Sequence, residues 1–99
     1  MKKFYKIINQ SGYVLSNQYI ESAKIVLGYG GVWTKDHRKA KRFATIKECQ
    51  QEVDKMPYSR KTKFLVVSNN ENWKHAYENA KKKGWKEWEN LLLYIRMFQ

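Results

Sequence analysis

The sequence predicts a small α+β domain in which a mostly antiparallel sheet packs against one capped helix and a C-terminal helical region. Three observations predict it. Short apolar runs broken by turn residues fill the first part of the chain, a capping box opens an apolar stripe at residue 46, and helical spacing of large apolar residues runs on from residue 73. The 99 residues suffice for one domain, 1–99, and not for two.

Residues 4–16 read as a hairpin. Phe4 to Ile8 alternates loosely, Asn9-Gln10-Ser11-Gly12 is a turn cluster, and Tyr13-Val14-Leu15-Ser16 resumes in strand composition. Residues 17–27 fit two readings: a short helix carrying Ile20, Ala23, Lys24 and Leu27, or a strand from Lys24 to Leu27. Gly28-Tyr29-Gly30-Gly31 then forces a turn or bulge before the strand Val32-Trp33-Thr34.

Thr45-Ile46-Lys47-Glu48 has the form of a capping box, in which Thr45 caps the helix and Glu48 reaches back to the cap amide. Ile46, Cys49, Val53 and Met56 follow on one face, and Pro57 ends the run, so 46–56 is predicted helical. Lys63-Phe64-Leu65-Val66-Val67 reads as a central strand buried on both faces. Asn69 or Asn70 is then placed to cap a helix. Trp73, Tyr77, Ala80, Trp88, Leu91, Ile95 and Phe98 stay in phase across Gly84, as one long helix weakened there or as two helices with a glycine C-cap between them. Residues 91–98 are apolar nearly all round. They fit a helix buried on two sides, for which a homodimer contact would cover the outer face, or a terminal strand.

Composition sets the class of partner. Lys and Arg total 20 against 9 Asp and Glu, a net charge of +11, while 42% hydrophobic and 15% aromatic residues argue for a packed core over a disordered basic tail. The 16 Lys outnumber the 4 Arg, and the chain is rich in Asn, Ile and Tyr; codon bias of an AT-rich genome is therefore a competing source of the lysine excess. A single cysteine, Cys49, forms no internal disulfide and no cysteine cage, and no apolar run is long enough for a signal core or a bilayer span. The expected setting is a reducing cytoplasm without membrane attachment.

The cations fall into three clusters. Lys35, Arg38, Lys39, Lys41, Arg42 and Lys47 face only Asp36; Lys55, Arg60, Lys61 and Lys63 follow Asp54 with no acid among them; Lys81, Lys82, Lys83 and Lys86 surround Gly84. Clustered lysines release counterions from phosphates and so bind nucleic acid without reading its sequence, whereas an isolated cluster is ordinarily a solvated surface. The binding surface is expected to join the 35–42 loop to 60–63, or to use the turn at 81–86. The solvent side of the capped helix carries Glu48, Glu52 and Asp54, which repel phosphates and remove that face. Tyr29, Trp33, Tyr58 and Trp85 lie beside basic residues or glycine and are the candidates for stacking on unpaired bases, while Trp73, Tyr77 and Trp88 belong to the helical stripe.

No catalytic or cofactor constellation is legible. Leu27, Gly31 and Thr34 replace the basic and aromatic positions that an RNA-recognition strand motif would need around Gly28-Tyr29-Gly30. His37 and Asp36 are chain neighbours whose side chains diverge, and His75 sits off the apolar stripe near Glu71 and Glu78. Cys49 faces inward, and no metal-ligand spacing occurs.

Gly12-Tyr13-Val14-Leu15, Trp33-Thr34-Lys35-Asp36 and Ala40-Lys41-Arg42-Phe43-Ala44-Thr45 with Glu48 together resemble small accessory proteins of phages and mobile elements in low-GC Gram-positive bacteria. That group includes anti-CRISPR proteins and other inhibitors of host defence. The resemblance covers roughly the first half of the chain and implies the hairpin, the tryptophan strand and the capped helix; it carries over no binding residue. The resulting expectation is a basic, non-enzymatic protein that occludes nucleic acid or a nucleic-acid-loaded machine such as a guide-RNA effector complex. The competing expectation is a protein-interaction module, binding a second copy or an acidic partner, whose charge serves steering and solubility.

Overall fold

The hairpin forms because its turn satisfies itself. In the computed structural model, which describes residues 2–57 and 64–82, β1 (Tyr5–Asn9) and β2 (Val14–Tyr19) are joined by a turn in which Asn9 Oδ1 accepts from the amides of Ser11 and Tyr13 at 2.9 and 3.0 Å. Gly12 adopts φ +82°, a conformation that disfavours a side chain, and its amide donates to Asn9 O. With β3 (Gly31–Thr34) and β4 (Phe64–Ser68) the strands form an antiparallel sheet of order β3-β2-β1-β4.

The ambiguous stretch after β2 is helical: α1 spans Glu21–Leu27 and ends at Gly28, which is left-handed at φ +83° and donates its amide to Lys24 O. The second helix, α2 (Ile46–Asp54), opens as predicted, with Thr45 Oγ1 accepting from Glu48 N at 3.1 Å. Glu48 reaches one residue further back than the standard box and accepts from Ala44 N at 2.8 Å. Helix α3 spans Trp73–Lys82. Its cap is Asn72, whose Oδ1 accepts from Lys74 and His75, and neither Asn69 nor Asn70. Asn69 instead accepts from Phe4 N at 3.0 Å and ties the end of β4 to the start of the chain. The predicted break at Gly84 and the 91–98 segment with its proposed dimer contact lie outside the described residues.

Alternation along the strands builds two cores. Ile7, Leu15, Phe64 and Val66 face α2 and pack with Ile46, Cys49 and Val53; Ile8, Val14, Leu65 and Val67 face α3 and pack with Ala80. All five residues of β4 are buried, as the apolar run predicts. Its place is not central, however: β4 is at the end of the strand order, and helices on the two faces of the sheet account for its burial.

The sheet has one irregular feature that matters for the basic residues. β1 and β2 pair at Ile8 and Val14, but farther along Tyr5 pairs with Phe43 and Ser16 with Ala40. The strands have parted, and residues 40–43 occupy the opening. Tyr5 and Phe43 exchange both backbone hydrogen bonds at 2.8 and 2.9 Å, and Lys41 N donates to Leu15 O at 2.8 Å. Ala40 belongs to the α3-side core and Phe43 to the α2-side core, so the segment threads from one face to the other.

The cap is testable. Thr45→Ala leaves the Glu48 amide without its partner and should lower unfolding stability by about 1 kcal/mol, with the denaturant m-value unchanged; Thr45→Ser should retain most of that stability.

Candidate nucleic-acid interface

The inserted segment fixes where the first basic cluster points. Asp36 caps a single 3-10 turn, His37–Lys39, with Oδ1 accepting from Arg38 N at 3.0 Å. The same carboxylate takes two further hydrogen bonds from the Arg38 guanidinium, at 3.0 and 3.2 Å. This pairing holds the Asp36 carboxyl below its usual range and raises Arg38. Lys35 lies over the Tyr13 ring and Arg42 over Phe4, with the guanidinium 4.6 Å from the ring centre. Lys41 turns the other way, onto the α2 side, where its ammonium is 3.6 Å from Glu52. Lys39 is exposed beside a shallow cleft formed by Asn17, Gln18 and Trp33. The cluster is therefore distributed over several faces around a rigid backbone and does not form one patch.

Glu52 departs from the expectation for the capped helix. Rather than standing on the solvent side, its side chain is 12% exposed, and it draws in Lys41 and Lys55, the latter at 3.7 Å. Its second oxygen accepts from Tyr29 OH at 2.5 Å. Tyr29 is thus a core residue, not a free stacking platform. Gly31 makes room for it, since a Cβ there would fall 2.5 Å from the Tyr29 ring. Trp33 is half-buried and stacked on Phe64 at 5.7 Å, so part of its ring surface belongs to the core. The exposed aromatic in this region is Tyr19, at the end of β2, where neither an adjacent basic residue nor an adjacent glycine in sequence marks it.

Tyr19, Lys24, Lys41, Glu52 and Lys55 line a cleft of about 400 Å³ between the β2–α1 junction and the C-terminal end of α2. No spacing along the chain marks Lys24 or Glu52 as site residues, because three separate stretches, 19–29, 41 and 52–55, meet there only in the fold. Lys81 lies over Tyr77, and Lys82 is exposed at the end of α3. Arg60, Lys61, Lys63, Lys83, Lys86, Tyr58 and Trp85 lie outside the described residues, as does the expected junction of 35–42 with 60–63.

His37 is partly and Cys49 fully enclosed by the fold. His37 stacks on Trp73 with ring centres 3.7 Å apart, and its Nε2 is 3.0 Å from Gly12 O. A carbonyl only accepts, so Nε2 carries the proton; Nδ1 is buried without a hydrogen-bond partner among the described residues. Burial first, and then the charge of Lys6, lower the His37 pKa; the Gly12 hydrogen bond and Asp36 oppose them. Burial also pushes the Cys49 thiol up to about 12, assisted by Glu48. Among the described residues no group of His, Cys, Asp or Glu could hold a metal ion, and no helix is long and apolar enough to cross a membrane.

Two consequences follow from these environments. Cys49 should resist a thiol reagent at pH 8 in the native protein and react at once in denaturant; prompt native labelling would contradict its burial. His37 binds its proton more weakly folded than unfolded, so it favours unfolding as pH falls below about 6.5, the ordinary histidine value. Stability should therefore rise with pH between the lowered folded value and that point, and His37→Phe should flatten this part of the profile. Compared with family models, curated proteins and solved structures, the chain has no match.

Proposed function

We propose that this protein is a non-enzymatic binder of nucleic acid or of a nucleic-acid-loaded machine, acting by occlusion. The supporting observation is the presentation of its cations. Lys39, Lys41 and Arg42 extend from a backbone pinned by hydrogen bonds to β1, β2 and the Asp36 cap, so only their side chains, and not the loop, must be ordered when phosphates are engaged. The excess of charge on the chain, +11, has few internal partners: of the three ion pairs among the described residues, two share Glu52. The likeness of residues 12–48 to phage accessory proteins adds an anti-CRISPR-type inhibitor in a bacterial cytoplasm as the particular form of this reading.

A second reading has an observation of its own. Ile25, Val26 and Leu27 on α1 are 80%, 79% and 65% exposed, an apolar turn of helix open to a protein contact. Salt and charge separate the two readings. Binding of the protein to a labelled single-stranded oligonucleotide should weaken steeply with salt, and Lys39→Glu with Arg42→Glu should lower both the affinity and the salt slope. Affinity independent of salt would contradict phosphate binding. Capture of a host protein from nuclease-treated lysate, abolished by Val26→Asp and indifferent to the charge reversals, would favour the apolar surface.

A further inference from the structure

The cleft beside α2 has a composition that the general charge argument does not require. We propose that it is a nucleotide subsite, with a phosphate held by Lys24, Lys41 and Lys55 and a base resting on Tyr19. The proposal rests on the polyanion reading above and narrows it to one place.

Charge is the first argument. Three lysines and one glutamate line the cleft. That carboxylate is occupied by Tyr29 OH on Oε2, while Lys41 and Lys55 approach Oε1 at 3.6 and 3.7 Å. Those distances exceed the roughly 2.7–2.9 Å of a charge-assisted hydrogen bond, so both ammoniums keep donors for another acceptor. Lys24 makes no ion pair among the described residues and adds an uncompensated charge. Glu52 acts here as a positioning residue. It anchors two flexible lysines to one oxygen, close enough for a single phosphate to bridge them.

The second argument is the ring. Tyr19 is 51% exposed and has no ring contact among the described residues. It is seated against the backbone at Gly30, where a Cβ would come 2.8 Å from the ring and 2.6 Å from Ile20 O. A glycine there leaves the tyrosine backed and half open, the arrangement that stacking on a base uses. Size agrees, since about 400 Å³ lies in the range of small-ligand pockets. The source of the phosphate is either a free nucleotide or one residue of a strand, and the chemistry is the same.

The test compares binding of a mononucleotide, uridine monophosphate, with that of a short labelled single-stranded oligonucleotide. The proteins are wild type, Tyr19→Ala, Tyr19→Phe, the pair Lys24→Ala/Lys55→Ala, and Lys74→Glu as an exposed cation outside the cleft, each confirmed folded by its unfolding transition. The expected result is a loss of about tenfold or more for Tyr19→Ala, the size of one base–aromatic contact, with a comparable loss for the lysine pair. Tyr19→Phe should behave as wild type. Mononucleotide-induced shifts in the NMR spectrum should be sensitive to the cleft variants and insensitive to Lys74→Glu. Mononucleotide binding without oligonucleotide binding would support the subsite in its free-nucleotide form and count against the polymer reading. Salt-sensitive oligonucleotide binding unchanged by both cleft variants would overturn the subsite while leaving the broader reading standing. Absence of all binding at low salt would overturn both.

Discussion

The insertion of residues 40–43 between β1 and β2 is the constraint on which the rest of the described structure depends. Two strands that part expose amides and carbonyls that must find partners, and the mutual hydrogen bonds of Tyr5 and Phe43, with Lys41 to Leu15, supply them. Because successive extended residues alternate in direction, Ala40 enters one core and Phe43 the other. The same alternation sends Lys41 to the α2 side, toward Glu52, and leaves Arg42 over Phe4. Thr45 then starts α2 immediately below the sheet. Core packing, helix placement and the distribution of cations are consequences of a single short crossing.

The Tyr29–Glu52–Lys41–Lys55 group shows how a half-buried carboxylate is tolerated. One oxygen takes a hydroxyl and the other two ammoniums, so the charge is balanced where desolvation would otherwise be costly. The group also joins the turn after α1, the inserted segment and α2, which share no strand pairing with one another. Gly28 contributes to the same joint, since its Cα approaches Pro57 closely enough that an added Cβ would lie 3.0 Å from the Pro57 ring.

Local signals were legible in proportion to how local their causes are. The Asn9–Gly12 turn and the Thr45–Glu48 cap each complete their hydrogen bonds within a few residues, and both are found where the residues predict them. The apolar run of β4 correctly implies burial on two faces, but composition cannot tell a middle strand from one at the end of the order that helices cover. Glu52 turns inward, contrary to its solvent-side position in the sequence pattern, for a related reason. It flanks the Cys49–Val53 stripe, and a position on the border of a stripe turns inward or outward according to what the neighbouring chain offers. Tyr29 and Tyr19 differ only in their surroundings: a glycine gives each ring its seat, but it is Tyr29 that hydrogen-bonds Glu52. None of this is visible in spacing along the chain, because the partners are brought together from distant stretches.

The order of the sheet has a bearing on how the chain is made. β1 pairs from Tyr5↔Ser68 to Asn9↔Phe64, and Tyr77 OH donates back to Gln10 O at 2.8 Å, across 67 residues of sequence. During synthesis the hairpin, α1 and α2 can assemble while β4 and α3 are still within the ribosome. Until those later residues emerge, one side of β1 has no ladder and Ile8 and Val14 have no α3 above them. The nascent first half is then an incomplete sheet with a sticky edge, and the rate at which translation delivers residues 64–82 governs how long that edge is open to the wrong partner.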